Sequence, residues 1–558
     1  MDVVLAQVEE SVHLAELTEE QDTRAVSTLT WPDVPAAVAT LEKSRPRWVW
    51  VDTGQVYPRL LAAGVRVQRC CDLRLRHAIL ARSRRVDWHV TDDDARWARM
   101  DPPESDQWPS LLDHPNRPTD ASLEEVLSEY RRQGRAVHAA REPERIQLLL
   151  AAESAGALVA AEMRHTGLPW SAEVHDAKLT EILGPRPLPG ARPARLEELV
   201  HAVRAELNQP SLNPDSQPEL LRALRGAGID VKGTRQSELS LIRHPVIAPL
   251  LAYKKLSRLL TANGWSWLSA WVSAARFHPD YVPSGVVTGR WATRGGGALQ
   301  LPKQIRSAVV ADPGHRLVVA DAAQLEPRIL AAMSGDQRMS RASCRGDLYQ
   351  ALVDEDVGDT RAHAKVAMLG ALYGATSGEG GQLMPRLLRA YPEAIGLVEQ
   401  AAREGERGGV VTTWLGRSSP APPLSWHAAQ GRASQPDAGA AEQRMARQRA
   451  RDWGRFTRNF VVQGTAAEWA LCWLATLRGL LSRRPPDPRL AASPTRGRAE
   501  LVYFLHDEVI VHTPADLSDA VSDAVRESAR TAGRLMFGRF PVEFALDVTC
   551  VDDYGQAE

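Results

Sequence analysis

The chain has 558 residues, 44% apolar and 25% charged, a composition that argues against disordered and fibrous proteins and predicts a folded, globular one. Its 68 Lys and Arg nearly balance 69 Asp and Glu, so the net charge of −1 gives no overall attraction for nucleic acid. Five cysteines without paired CxxC spacing argue against a disulfide scaffold and a zinc ribbon and favour a reducing compartment. At roughly 100 to 200 residues per domain, we expect about three or four domains.

No segment of the sequence predicts export or membrane insertion. Met1–Leu14 lacks a basic region ahead of an apolar stretch, so a secretory signal is not expected. The most apolar helical stretch, Trp469–Leu477, is followed by Arg478 and falls short of the ~20 residues needed to cross a bilayer. The sequence therefore predicts a cytoplasmic protein.

The N-terminal region predicts a small α/β unit. Its clearest elements are a strand-like run at Arg47–Asp52 and a helical stretch at Asp72–Arg82. Residues 100–120 are rich in Pro, Asp and Ser, which is typical of a linker. We place a domain boundary there.

The pattern changes again beyond this linker. Residues 121–280 predict mainly helices, interrupted by the Pro-rich Gly184–Arg195, and from Tyr281 strands alternate with helices. The Pro-, Gly- and Ser-rich stretches Ser418–Ala440 and Arg483–Gly497 predict surface insertions. There is no internal repeat and no GxxxxGK[ST] motif, so neither a solenoid nor a P-loop ATPase is supported.

A first acidic motif lies in RLVVADAAQLEPRILAAMSGD, Arg316–Asp336, where an apolar run ends in Asp321 and an amphipathic helix follows. A carboxylate at the end of a buried strand lies where a cation can reach it. The alternative is that Asp321 caps the N-terminus of the helix. Taken alone, this motif leaves both interpretations open.

A second acidic motif lies in LVYFLHDEVIVHTP, Leu501–Pro514, where two apolar runs flank His506, Asp507 and Glu508. This predicts a hairpin with the acids at its turn, and the alternative is an ordinary solvated tip. Adjacent acids repel each other unless a cation joins them. Asp321 and Asp507 together, with Glu508 close by, would form an oxygen-rich site suited to Mg²⁺.

A stripe of four side chains marks the predicted helix in RAHAKVAMLGALYGATSG, which begins at Arg361. Arg361, Lys365, Leu369 and Tyr373 recur every four residues and so lie along one face, ~6 Å apart per step. The two cations can hold a triphosphate at the N-terminal end, where the helix dipole also favours phosphate, and the aromatic ring can stack near a base. The alternative is a solvated Arg/Lys pair followed by core residues.

A basic stretch precedes the next helical run. It carries six arginines against one acid, a density that can neutralise several backbone phosphates or simply form a solvated face. In the following NFVVQGTAAEWA, Asn459 and Gln463 are spaced to face the minor groove of a duplex. The six arginines are Arg444, Arg447, Arg449, Arg451, Arg455 and Arg458.

In their order and spacing, these motifs resemble those of family A DNA polymerases, the group of bacterial DNA polymerase I. Asp321–Arg328 resembles motif A of the family, Arg361–Gly374 resembles motif B, and His506–Glu508 resembles motif C. The resemblance covers about residues 150–558. The stretches that start at Leu212 and His244 resemble the thumb region of the family. The length resembles a compact group often labelled bifunctional exonuclease/polymerase.

The resemblance implies an α+β multidomain fold, a right-hand polymerase with an antiparallel palm sheet and helical fingers and thumb, plus a small N-terminal α/β exonuclease-like domain. The implied domains are 1–120 for the exonuclease-like domain, 121–280 for the thumb, 281–336 for the first part of the palm, 337–455 for the fingers and 456–558 for the second part of the palm.

The resemblance also implies roles for individual residues. Asp321 and Asp507 would hold two Mg²⁺ ions, with Mn²⁺ as an alternative, while Glu508 and Lys365 would assist catalysis. Contacts with the incoming dNTP are implied for Arg361, Lys365, Glu326, Leu369, Tyr373, Gln324 and Tyr349. Contacts with primer-template DNA are implied for Arg290, Arg455, Asn459, Gln463 and His506. A nucleoid-associated monomer is expected.

Several positions depart from the family pattern. Leu369 stands where Phe or Tyr is usual, and Tyr349 stands where a His usually approaches the phosphates. Ala322 and Ala323 replace a Tyr-Ser pair, and the segment from Ala298 is shorter than its usual counterpart. We expect these changes to alter discrimination among sugars and to leave the metal carboxylates and triphosphate cations in place.

The N-terminal unit lacks the carboxylates that proofreading requires. Nuclease chemistry of this kind begins with Asp-x-Glu, whereas WVWVDTG offers Asp52 followed by Gly54. We therefore expect no active proofreading. An aspartic protease would need two Asp-Thr-Gly loops, and one copy favours chance. Two alternatives to a polymerase remain, a polymerase-like DNA-binding protein without synthesis and a metal-dependent nuclease.

Overall fold

The computed structural model describes residues 1–91, 94, 97, 121–374, 378–483 and 497–557. The predicted linker at residues 100–120 lies outside the described residues. So does the predicted insertion at Arg483–Gly497, except for its two end residues. The chain forms two compact units. The first unit comprises Met1–Thr166, Asp280–Arg294 and Val318–Cys550, and the second comprises Gly167–Pro279, Gly295–Leu317 and Val551–Glu558.

The first unit begins with a five-stranded sheet in the order β3-β2-β1-β4-β5. β1 pairs antiparallel with β2 and parallel with β4, and the Trp-rich β4 is buried because the sheet packs against helices. The strand and the helix predicted near Arg47–Asp52 and Asp72–Arg82 are confirmed, and a separate N-terminal domain stays a prediction. Its strands are β1 Asp2–Val8, β2 Ser11–Leu17, β3 Thr23–Thr30, β4 Arg47–Trp50 and β5 Arg69–Asp72, and its helices are α1 Val34–Glu42, α2 Thr53–Ala62 and α3 Leu73–Leu80.

A second sheet in this unit has four strands in the order β12-β13-β11-β14. β12 and β13 form an antiparallel hairpin in which Leu505 pairs with Glu508, so that His506 and Asp507 make the turn. This confirms the hairpin predicted from the sequence. The strands are β11 His315–Ala322, β12 Glu500–Leu505, β13 Glu508–Pro514 and β14 Leu546–Val551, and a short hairpin of β9 Tyr281–Val282 and β10 Ala292–Thr293 lies in the same unit.

Helices fill the remainder of the first unit. Two of them precede the segment Gly167–Pro279 of the second unit in the sequence, α4 Leu123–His138 and α5 Pro143–Thr166. The others follow that segment and are α12 Leu325–Ser334, α13 Gln337–Ser343, α14 Leu348–Asp354, α15 Arg361–Tyr373, α16 Gly378–Ala390, α17 Pro392–Glu406, α18 Leu424–Ala433, α19 Ala440–Ser482 and α20 Ser518–Phe537.

Two sequence-based expectations about these helices are wrong. The stretch Ser418–Ala440 is not a plain surface insertion, because α18 lies within it and buries Trp426. The basic stretch does not precede a helix, because it lies inside α19, which runs for 43 residues. α19 also runs through the predicted boundary at 455/456. The four boundaries between the five predicted domains stay predictions.

Within the part of the chain that the structure describes, two helices, α5 and α19, are long and apolar enough to cross a membrane. Of their apolar windows, however, 72% and 83% lie buried inside the protein. This burial is typical of core helices, and Trp469 and Trp473 of α19 are fully buried.

The second unit is mainly helical around its own apolar core, which contains Val203, Leu220, Leu224 and Leu250. The Pro-rich Gly184–Arg195 separates two of its helices, as predicted. The helices are α6 Ala172–Leu183, α7 Ala194–Glu206, α8 Gln217–Gly226, α9 Gln236–Leu239, α10 Ile247–Asn263 and α11 Trp265–Trp271, and a small sheet is formed by β6 Leu168–Pro169, β7 Val272–Ser273 and β8 Arg276–Phe277.

Glu468, a buried carboxylate on α19, makes the stability of the first unit depend on pH. It accepts hydrogen bonds from Thr413 and from the Leu415 amide, and burial raises its pKa to about 7. The carboxyl group of Glu468 is protonated in the fold at pH values where it would be ionised in the unfolded chain, so it adds stability below the unfolded pKa near 4.5, and this stability is lost as the pH rises towards 7. Glutamine does not titrate. Between pH 4.5 and pH 8 the free energy of unfolding of Glu468→Gln should therefore rise relative to that of the wild type by about 3 kcal/mol.

Denaturant unfolding of both proteins from pH 4.5 to 8 measures this difference. Glutamine keeps an acceptor for the Leu415 amide and gains a donor for Thr413, so it preserves the contacts. Parallel stability curves for the two proteins would show that Glu468 does not titrate in this range.

Candidate active site

The first predicted aspartate lies near the end of β11, where the strand turns into α12. The Ala322 amide donates to the Asp507 carbonyl at 2.8 Å, and the Ala323 amide donates to the Ala545 carbonyl at 3.2 Å. Gln324, with φ of 56°, occupies the N-cap position of α12. The alternative role of Asp321 as the helix N-cap is therefore wrong, and Asp321 lies on a strand end held against the hairpin.

The second aspartate lies in the turn of the β12–β13 hairpin. His506 takes a left-handed backbone conformation, with φ of 59°, which allows the two-residue turn. Burial raises the pKa of Asp507 to about 6, and neighbouring Glu508 and Glu326 add to the rise while Arg290 opposes it. Asp507 is thus a partly buried acid among other acids, and the alternative of an ordinary solvated tip does not describe it.

The stripe on α15 faces the same cavity as both aspartates. Thr360 caps this helix by accepting from the His363 amide, and the helix ends at Tyr373 before Gly374. Arg361, Lys365, Leu369 and Tyr373 line a cavity of about 440 Å³ together with Asp321 and Asp507. Two acids and a cation-bearing helix, far apart in the sequence, therefore meet around one space.

Other predicted residues fall into two groups. Within the described chain, Arg455, Asn459, Gln463 and Glu508 do not line this cavity. Gln463 lies close to the cavity, however, because its side chain is near enough to the Tyr373 hydroxyl to lower the pKa of that group. The predicted residues that do line the cavity, besides those already named, are Arg290, Gln324, Glu326, Tyr349 and His506.

Glu326 is fixed at the cavity wall by two partners. Arg290 Nη2 donates to Glu326 Oε1 at 2.6 Å, and the Tyr373 hydroxyl donates to Oε2 at 2.8 Å. Burial, together with the nearby Glu326 charge, raises the pKa of Tyr373 to about 12, so that it stays a donor at neutral pH. These bonds join residues from three separate sequence motifs.

Sequence reasoning missed several residues in and around the cavity. One of them, Asp347, lies just outside the cavity lining and pairs with Arg361 through a contact of 2.5 Å between Asp347 Oδ2 and Arg361 Nε. Its only sequence signal is its position two residues before Tyr349. The cavity-lining residues that were missed include Trp291, Leu471, Phe504 and Asp547.

The basic stretch of α19 is only partly available to a ligand. Arg458 is buried, donating to the Ala371 carbonyl and pairing with Glu399, so its predicted part in neutralising phosphates is wrong. Arg455 is exposed and pairs with Asp452 three residues before it. Asn459 Oδ1 is buried without a hydrogen-bond partner among the described residues. The exposed arginines of this stretch are Arg444, Arg447, Arg451 and Arg455.

The side chains at the cavity fit a divalent cation that also binds substrate. Among the described residues, no three His, Cys, Asp or Glu side chains are grouped to hold a metal on their own. Mg²⁺, however, is usually bound by one or two carboxylates plus substrate phosphates. Asp321 and Asp507 provide two carboxylates, and a cation would relieve the repulsion that contributes to the raised pKa of Asp507.

In the N-terminal unit, Asp52 is committed to structural contacts. Its Oδ1 accepts from the Gly54 amide at 2.8 Å as the cap of α2, and its Oδ2 pairs with Arg74 at 3.1 Å. Asp72 nearby caps α3 in the same way. These contacts leave the prediction of an inactive nuclease site standing as a prediction.

The cavity thus brings two carboxylates and the cations Arg361 and Lys365 of α15 around one space. Residues 212–555 match the model of DNA polymerase family A. The chain therefore belongs to DNA polymerase family A.

Curated relatives cover the same region at modest identity. The chain is 27% identical over 350 residues to the thermostable DNA polymerase I of Thermus filiformis. This alignment covers 57% of this chain and 37% of that protein. It is 26% identical over 347 residues to DNA polymerase I of Chloroflexus aurantiacus, with 57% and 33% covered. The chain thus aligns with about a third of the length of each of these relatives.

A solved structure matches the fold over the full chain. It is described as the POL domain of Pol1 from M. smegmatis in complex with DNA primer-template and dNTP. Its TM-score is 0.67 at 18% sequence identity, and the match covers 100% of this chain and 96% of that one. At this identity the likeness establishes the fold, a family A polymerase fold of mixed helices and strands.

Proposed function

We propose that this protein is a template-directed DNA polymerase that adds dNTPs to a primer 3′-hydroxyl. The observation that carries the proposal is the single cavity lined by Asp321, Asp507 and the Arg361–Tyr373 face of α15. Membership of DNA polymerase family A supports it. A polymerase needs only shape and backbone contacts with DNA, because base pairing supplies the sequence.

In this proposal the residues of α15 position the nucleotide. Arg361 and Lys365 bind the triphosphate, and Lys365 can also protonate the leaving pyrophosphate. Tyr373 lies beside the templating base, and Glu326, fixed by Arg290 and Tyr373, lies beneath the sugar and resists a 2′-hydroxyl. Gln324 and Tyr349 complete the nucleotide side of the cavity.

Asp321 and Asp507 would hold two Mg²⁺ ions, or Mn²⁺ in their place, and Glu508 beside them adds negative charge. Bound metals of this kind favour the attacking alkoxide and the leaving oxygens of an in-line displacement. The rest of the catalysis is positioning and charge neutralisation by the protein.

The proposal places primer-template DNA along α19 and the neighbouring hairpins. Arg290 and His506 line the cavity, and Gln463 lies close to Tyr373 at its edge. Asn459 and Gln463 would donate their side-chain amide N–H groups to minor-groove acceptors of the bases. The exposed arginines, Arg455 among them, would neutralise backbone phosphates, so binding should weaken with salt.

We further propose a polymerase without proofreading that acts as a cytoplasmic, nucleoid-associated monomer. Asp52 supports this view, because the contacts that cap α2 and pair it with Arg74 occupy its carboxylate. The N-terminal unit then has a structural or DNA-contacting role. In this proposal the fingers and the second part of the palm share α19, and the thumb, fingers and palm otherwise keep the boundaries predicted from the sequence.

Extension of a labelled primer on a defined template, with Mg²⁺ and single dNTPs, tests this function. We expect extension only by the nucleotide complementary to the template. Tight primer-template binding without extension or Mg²⁺ binding would favour the non-synthesising alternative. Release of nucleotides from the primer in the absence of dNTPs would favour the nuclease.

Leu369 gives a prediction about sugar discrimination. It lines the cavity on α15 where the family usually has an aromatic residue. Because an aliphatic chain contacts less of a sugar than a ring does, Leu369→Phe should change the incorporation ratios among deoxy, dideoxy and ribonucleotides by about threefold or more. Competition between labelled nucleotides measures the ratios.

Leu388→Phe is the matched control, because Leu388 is exposed on α16 and does not line the cavity. This variant should keep the wild-type ratios. If Leu369→Phe keeps them as well, the side chain at this position does not set sugar selectivity.

A further inference from the structure

Arg361 already has a carboxylate partner in this structure. Its Nε donates to Asp347 Oδ2 at 2.5 Å, and its guanidinium lies 5.5 Å from the centre of the Tyr349 ring. Arg361 is nevertheless accessible, since 54% of its side chain is exposed. An incoming phosphate can therefore reach this cation, but only in competition with Asp347.

Asp347 itself is held in place by other bonds. It caps α14 by accepting from the Tyr349 and Gln350 amides at 2.9 Å and 3.3 Å. Gln324 Nε2 donates to its Oδ1 at 2.7 Å, while Gln324 Oε1 accepts from the Leu348 amide at 2.8 Å. The carboxylate is thus anchored to the start of α14 and to the turn after β11, and it cannot follow Arg361 towards a ligand.

The hydrogen bonds also keep Asp347 ionised. Burial alone would raise its pKa, but the bonds from Arg361 and Gln324 outweigh this and hold the pKa below the usual value. A fixed, charged carboxylate is a persistent competitor for a guanidinium.

We propose that Asp347 is a displaceable counter-ion that sets the affinity of the cavity for the triphosphate. The inference rests on the proposed function. In the free protein Asp347 is paired with Arg361. On nucleotide binding Arg361 leaves Asp347, which stays in place, and pairs with the terminal phosphate. Arg361 is the outermost residue of the stripe, ~18 Å along the helix from Tyr373 and one turn beyond Lys365. A nucleoside diphosphate seated on Tyr373 and Lys365 does not reach it.

Asp347→Asn tests this competition without removing the helix cap. Asparagine is as good an N-cap as aspartate and still accepts from Gln324, but it carries no charge for Arg361. We expect the KM for dNTP to fall about threefold, as for loss of an exposed ion-pair competitor, with kcat unchanged. The affinity for dNDP should stay the same.

Two matched variants separate this role from a structural one. Asp354→Asn, on the same helix and bonded only to Gln350 in the described contacts, should leave the KM unchanged. In an Arg361→Gln background, Asp347→Asn should have no further effect, because the competition needs both partners. A raised KM with a lower Tm, or an equal effect in the Arg361→Gln background, would overturn the proposal.

Calorimetric binding of inorganic tripolyphosphate distinguishes this inference from the proposed function, because it requires no synthesis. Tighter binding by Asp347→Asn than by the wild type supports the counter-ion role even if no primer is extended. If primers are extended and Asp347→Asn changes neither the KM nor tripolyphosphate binding, the proposed function stands and the counter-ion role is wrong.

Discussion

Replacing Asp321 or Asp507 with asparagine should lower the kcat of primer extension by about 10³-fold or more. Both side chains line the cavity, and an amide cannot supply the negative charge that binds a divalent cation. The loss expected is several kcal/mol of transition-state stabilisation. Single-turnover extension at saturating dNTP and Mg²⁺ measures it.

The fold should survive both substitutions. Because burial raises the pKa of Asp507, an uncharged amide at that position relieves a cost of folding at neutral pH. Asp519→Asn, an exposed change in the first turn of α20, is the matched control and should extend primers normally. Two variants that both retain wild-type extension would show that these aspartates do not form the metal site.

Arg417→Met should destabilise the first unit by about 3 to 5 kcal/mol, because it leaves a buried carboxylate without its charge partner. Arg417 Nη2 pairs with Glu153, whose side chain is fully buried on α5, and Nη1 donates to Ser284 at 3.0 Å. Burial already raises the pKa of Glu153, and Arg417 is the largest opposing influence. Denaturant unfolding followed by tryptophan fluorescence measures the loss.

Two comparisons make this prediction sharper. The double variant Glu153→Gln with Arg417→Met should recover part of the loss, because no uncompensated charge then remains. Arg530→Met breaks an exposed pair with Glu527 on α20 and should cost no more than about 1 kcal/mol. Equal effects of Arg417→Met and Arg530→Met would mean that the buried pair contributes no more than a surface one.

The features that the sequence predicted well are local ones. An apolar run that ends in an acid, two apolar runs around a short acidic turn, and a four-residue repeat on a helix each determine their own backbone geometry. The strand ending near Asp321, the hairpin turn at Asp507 and the stripe on α15 followed from such patterns. Their convergence on one cavity was predicted from the family resemblance.

The features that were missed depend on tertiary packing. Asp347 meets Arg361 only because α14 and α15 pack side by side, and no spacing in the sequence signals this. Arg458 belongs to a charge run, but its position on α19 turns it towards Ala371 and Glu399. α18 was missed because its stretch is rich in Pro and Ser, although Pro423 lies at the N-cap, where proline does not disrupt a helix.

The central claim is that Asp321 and Asp507 share a pair of divalent cations with a triphosphate held by α15. A crystal structure with primer-template, a non-hydrolysable dNTP and Mn²⁺, analysed by anomalous scattering, tests it most directly. We expect two metal peaks roughly 3.5 to 4 Å apart between the two carboxylates, with the phosphates against Arg361 and Lys365. Metal bound away from either aspartate, or a triphosphate that does not touch α15, would contradict the claim.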